Sequence, residues 1–63
     1  MKPQSITVRD GHGMDNTITV GEYDVVEIVE HQAQGEGDKW YYDVKFKDGK
    51  IRRIFSFIEV SYN

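Results

Sequence analysis

Residues 40–53, Trp-Tyr-Tyr-Asp-Val-Lys-Phe-Lys-Asp-Gly-Lys-Ile-Arg-Arg, constrain the fold more than any other stretch of the chain. Tyr42, Val44 and Phe46 alternate with Tyr41, Asp43, Lys45 and Lys47, which is the period of a strand with one apolar face. Asp48-Gly49 follows, and Asp-Gly between apolar runs is a strong hairpin signal because two-residue hairpin turns need φ > 0 at both positions. The segment therefore predicts a β-hairpin with Trp40, Tyr42, Val44 and Phe46 toward the core and Tyr41, Asp43, Lys45 and Lys47 outward. In the return arm Ile51 and Ile54 are three apart, which strict alternation cannot place on one face. A bulge or strand end is expected near Arg52-Arg53.

The remaining strands follow from the same period. Ser5-Ile6-Thr7-Val8-Arg9 puts Ile6 and Val8 on one face. Residues 10–16, Asp-Gly-His-Gly-Met-Asp-Asn, favour turns and break the pattern. Thr17-Ile18-Thr19-Val20 resumes it, and Gly21-Glu22 predicts a bend before a long strand over residues 23–30. There Val26 and Ile28 share one face and Val25 and Val29 the other. A helix is disfavoured because the β-branched residues lose rotamer freedom in it and no capping box frames the segment. A bent strand that packs both faces over part of its length fits better. Residues 31–39 are polar with two glycines and predict a loop. Phe55-Ser56-Phe57 predicts one 3₁₀ turn, and Ile58-Glu59-Val60-Ser61-Tyr62 a last strand.

Sixty-three residues suffice for one domain, expected over 1–63 with residues 1–4 as a flexible N-terminus. The absence of cysteine excludes disulfides and thiolate metal sites, so the aromatic fraction of 13% has to supply much of the core. Eleven acidic against eight basic residues weigh against non-specific nucleic-acid binding as the main activity. No apolar run approaches the roughly 20 residues that span a bilayer, and no secretory pattern is present, so a cytoplasmic protein is expected.

Val25-Val26-Glu27-Ile28-Val29-Glu30, Trp40-Tyr41-Tyr42-Asp43-Val44, Asp48-Gly49-Lys50 and Phe57-Ile58-Glu59-Val60 occur in the order of the second strand, Trp-led third strand, distal hairpin and terminal strand of SH3 domains. Over residues 17–62 the chain thus resembles the SH3-like barrel. The resemblance implies an all-β, five-stranded, partly open barrel with a short 3₁₀ turn before the last strand. It lacks the Ala-Leu-Tyr-x-Tyr run and the late proline of proline-binding members, since its one proline is Pro3. Residues 18–25 and 44–50 look more like small SH3-like proteins of bacteria and their phages. That similarity implies a non-enzymatic module that binds and modulates a host protein, in the host cytoplasm if viral.

Tyr41, set outward on the hairpin, is the leading contact candidate; Trp40 begins its strand, so core packing and surface contact are both open to it. Lys45, Lys47, Lys50, Arg52 and Arg53 gather five of the eight basic residues around the hairpin. With Phe55 and Phe57 they complete the expected partner-binding surface. The same cations with Tyr41 form the alternative, a Tudor-like nucleic-acid strip, although charges on exposed strands also simply deter edge pairing. A self-associating structural component is a further alternative, and the chain is expected to be a monomer or weak homo-oligomer. Glu22, Asp24, Glu27, Glu30, Glu36 and Asp38 are the acidic concentration and read as solvated strand ends and loop. His12 sits between glycines with an incomplete ligand set, and His31 has no supporting spacing, so neither a metal nor a cofactor is expected. No serine or threonine has an evident His-acid pair, and the chain is expected to be non-enzymatic.

Overall fold

The computed structural model describes residues 2–62; Met1, part of the expected flexible N-terminus, and Asn63 lie outside the described residues. Alternation of apolar and polar residues produces six strands: β1 (Pro3–Arg9), β2 (Asp15–Thr19), β3 (Val25–His31), β4 (Tyr41–Phe46), β5 (Ile51–Ile54) and β6 (Glu59–Tyr62). They form two antiparallel three-stranded sheets, ordered β2-β1-β6 and β3-β4-β5. The all-β expectation holds. The strand count is six where five were expected, and the sheets do not join into a closed barrel.

The core lies between the sheets. Ile6 and Val8 of β1, Val25 and Ile28 of β3, Tyr42 and Val44 of β4 and Ile54 of β5 are buried, with Ile18, Val20, Phe46, Phe57 and Val60 packed around them. Full burial of one such aliphatic side chain is worth roughly 1.5–3 kcal/mol, so few losses are affordable in so small a core. β1 starts at Pro3, which places Pro3 and Gln4 in a strand where a flexible segment was expected. Proline suits the first residue of a strand because it has no N–H to give the ladder.

Three local features depart from simple alternation. The register of β3 on β4 shifts between Val25 and Glu27, so one extra residue is accommodated and the parity flips. Val25 and Ile28 therefore share the core face, and Val26, expected to share a face with Ile28, is 57% exposed. β3 also begins two residues later than expected. Tyr23 and Asp24 adopt φ of 50° and 64° and belong to the turn, held by a bond from Val25 N–H to the Glu22 carbonyl and one from Lys47 N–H to the Asp24 carbonyl.

In the return arm no bulge occurs: Lys45, Val44, Asp43 and Tyr42 face Ile51, Arg52, Arg53 and Ile54 in unbroken register. Ile51 is apolar but outward, which removes the conflict that predicted a bulge. The 3₁₀ turn at residues 55–57 is absent as well; the chain bends, and Ile58 N–H donates to the Thr7 carbonyl at 2.8 Å to lead into β6.

The hairpin that predicts the fold closes differently from expectation. Gly49 alone has positive φ, at 91°, while Gly49 N–H donates to the Phe46 carbonyl and Phe46 N–H to the Lys50 carbonyl. This is a three-residue loop, Lys47-Asp48-Gly49, in which a type I turn is followed by a left-handed glycine. The β1-β2 connection repeats it. Gly13, at φ 81°, donates to the Asp10 carbonyl, and Asp10 N–H donates to the Met14 carbonyl.

Candidate protein-interaction surface

The outer face of the β3-β4-β5 sheet is built in rows by the register. Glu27, Lys45 and Ile51 form one row, Val29, Asp43 and Arg53 the next, and His31 and Tyr41 the third, with Phe55 beside Tyr41. Tyr41 lies on this face as expected, but its ring is already engaged. His31 of β3 stacks on it, with centroids 4.5 Å apart and planes at 8°, and the Arg53 guanidinium of β5 lies 4.5 Å from its centroid. Because β3 and β5 flank β4 on opposite sides, the two groups cover the two ring faces. Phe55 touches the ring at 5.3 Å and 40°.

Asp43 anchors this cluster. It is buried, with a side chain only 8% exposed, and Arg53 Nε and Nη2 donate to its two carboxylate oxygens at 2.9 and 3.2 Å. His31 Nε2 lies 3.2 Å from Oδ2. The Arg53 hydrogen bonds hold the Asp43 carboxyl below the usual carboxylate range against the opposing effect of burial. An open cleft of ≈ 690 Å³ runs beside the cluster, lined by His31, Tyr41 and Phe55 on one side and by Gln34, Asp38 and Lys39 of the following loop on the other.

The remaining expected contact residues separate. Phe57 is partly buried and packs edge-on against Tyr42, with centroids 4.9 Å apart at 87°, so it belongs to the core margin. Trp40 precedes β4 and is 46% exposed. Three of the five basic residues meet acidic partners: Arg53 with Asp43, Lys45 with Glu27 at 3.8 Å and Lys50 with Asp48 at 3.8 Å. Among the described residues Lys47 and Arg52 make no ion pair, and the cations do not line one continuous strip. Ile51 and Phe55, each 58% exposed, are the free apolar groups of this sheet edge. Ile51 and His31 escaped sequence reasoning. For the first, strict alternation says only that Ile51 and Ile54 cannot share one face; the second falls in residues 31–39, which read as a loop, where no register places it beside Tyr41.

Under the core face a second polar group ties three strands. The Tyr42 hydroxyl donates to Glu30 Oε1 at 3.0 Å and lies 2.8 Å from the Tyr62 hydroxyl, which also bonds Glu30. Burial, then the bonds to Tyr62 and Glu30, push the Tyr42 phenol far above its ordinary value; the Tyr62 bond holds Glu30 below its own. The group is a structural link between β3, β4 and β6.

Among the described residues no three His, Asp or Glu side chains are placed to hold a metal ion, and no helix is long and apolar enough to cross a membrane. No family model, curated protein or solved structure matches the chain.

Proposed function

We propose that the chain is a non-enzymatic protein-interaction module of SH3-like architecture, whose contact surface is the outer side of β5 with the adjoining aromatic cluster. Connectivity supports the architectural part. With β2 and β3 taken as one strand interrupted at residues 20–24, the chain is an antiparallel meander through β5 whose last strand returns to pair with the first.

The observation that carries the functional part is the pair Ile51 and Phe55, each 58% exposed, on either side of Arg53, which Asp43 and Tyr41 hold in place. Exposed apolar groups on a rigid, pre-ordered support are what a protein contact uses, since little ordering entropy remains to be lost on binding. The nucleic-acid alternative draws less support, because both faces of Tyr41 and three of the five hairpin cations are engaged within the molecule.

The test compares the immobilised wild-type chain with an Ile51→Ser/Phe55→Ser variant of unchanged thermal stability. The resemblance to phage proteins makes a bacterial lysate the first to try. Saturable retention of one protein by the wild type, lost in the variant, is the expected result. Equal retention by both chains, or retention only of material released by nuclease, would refute it.

A further inference from the structure

Resting on that reading, we propose that the partner binds as an extended acidic segment that adds to β5 as the fourth strand of the β3-β4-β5 sheet. β5 ends the sheet order and pairs only with β4 among the described residues. Its hydrogen-bonding phase follows from the hairpin closure, where Phe46 N–H bonds the Lys50 carbonyl. Bonded and non-bonded pairs alternate in an antiparallel ladder, so Val44/Arg52 and Tyr42/Ile54 exchange bonds while Ile51 and Arg53 do not face β4 with theirs. The N–H and C=O groups of Ile51 and Arg53 point out to the open edge, and the same two residues carry side chains on the outer face. A strand added there satisfies the backbone groups and sets its own alternate side chains against Ile51 and Phe55.

The chemistry of that strand is set by charge. Along the inner side of the edge runs a cleft of ≈ 310 Å³ at the mouth between the two sheets, with Val8, Ile18 and Ile54 as apolar wall and Arg9 and Arg52 as cations, while the Arg53 guanidinium is held on the outer face by Asp43. Its one carboxylate, Asp10, is occupied by the N–H groups of His12 and Met14 at 2.8 and 2.9 Å. Arg9 and Arg53 are each matched by an acid, whereas Arg52 has no ion-pair partner among the described residues. An incoming strand with Asp or Glu opposite Arg52 and apolar residues opposite Ile51 and Phe55 complements both sides.

A second copy of this chain does not. Antiparallel β5-β5 pairing would bring Arg52 and Arg53 of both molecules together, and like charges across strands are destabilising. Proline-rich segments fail for a different reason, since proline supplies no N–H to the edge carbonyls.

The test pans a displayed library of random peptides of about ten residues against the immobilised chain. Amide exchange of the isotope-labelled chain then maps the enriched peptides. Expected are peptides alternating acidic with β-branched or aromatic residues, new protection at the Ile51 and Arg53 amides, and affinity that falls with salt. Arg52→Glu should weaken binding about tenfold, the equivalent of ~1.4 kcal/mol. Ile51→Pro, which removes an N–H directed away from β4, should abolish binding while Ile51→Val keeps it. If Ile51→Pro does not fold, the exchange map and Arg52→Glu decide. Enriched basic or proline-rich peptides, no enrichment, or protection confined to other strands would overturn strand addition. A lysate partner lost in Ile51→Ser/Phe55→Ser but retained by a folded Ile51→Pro would overturn strand addition while leaving the interaction module intact.

Discussion

Replacing Asp43 by Asn tests whether the outer-face cluster is held by charge. Asp43 accepts two bonds from Arg53 and faces His31 Nε2, with its own side chain only 8% exposed. Hydrogen bonds to charged groups are worth about 1.5–3 kcal/mol. The Arg53 side chain is 52% exposed, so water screens the pair and the lower part of that range applies. Asn keeps one acceptor, loses the charge and turns an N–H₂ toward the guanidinium. The expected loss is about 1–2 kcal/mol at neutral pH, which for a domain of this size lowers Tm by roughly 4–16 °C.

The pH dependence carries a definite sign. The folded carboxyl lies below its unfolded value of 3.8, so the contribution is fully present above that value and is lost as pH falls through the folded pKa. Wild type and Asp43→Asn, compared by urea denaturation monitored by circular dichroism, should therefore differ most near neutrality and converge in acid. A difference under about 0.5 kcal/mol at neutral pH, the range of an ordinary surface change, would refute the charge-anchor account. So would a difference that persists undiminished in strong acid.

Four further outcomes follow from the backbone and core. Gly49→Ala, at φ 91° with nothing within 4 Å of the new Cβ, should cost about 1–2 kcal/mol through conformation alone. Gly11→Ala, equally open but without positive φ, should be neutral or slightly stabilising, and chemical denaturation of the pair separates the two causes. Ile6→Ala, at a fully buried position, should cost about 2–5 kcal/mol, a large share of the stability available to so short a chain, and the loss should show as a sharply lowered denaturation midpoint. Tyr42→Phe should lose about 1 kcal/mol with the Glu30 and Tyr62 bonds and should raise amide exchange in β6 more than in β2.

Strand positions are legible in this chain because period-two alternation is a property of neighbouring residues, and Ile6, Val8, Tyr42 and Val44 are buried as their parity requires. The bulge at Val26 and the left-handed Tyr23 and Asp24 are not local in that sense. They arise where β3 must meet both β4 and the turn bonded to Lys47, and no pattern within residues 23–30 records that demand. The candidate surface was half legible for the same reason. Alternation turns Tyr41 and Lys45 outward, but only cross-strand register brings His31, Arg53 and Phe55 onto Tyr41, and only geometry shows that Asp43 consumes the charge of Arg53.

The ladder that joins the ends of the described chain, Pro3 opposite Tyr62 and Ile6 opposite Val60, has a kinetic consequence. Loop-closure entropy must be met before such distant partners gain anything, whereas β3, β4 and β5 meet across short connections. The β3-β4-β5 meander is therefore expected to assemble before β6 docks on β1. Unfolding should run the other way, releasing β6 and the Tyr62 bond to Glu30 first. The amides of residues 59–62 should then exchange through a low-energy opening that leaves the β4-β5 hairpin protected.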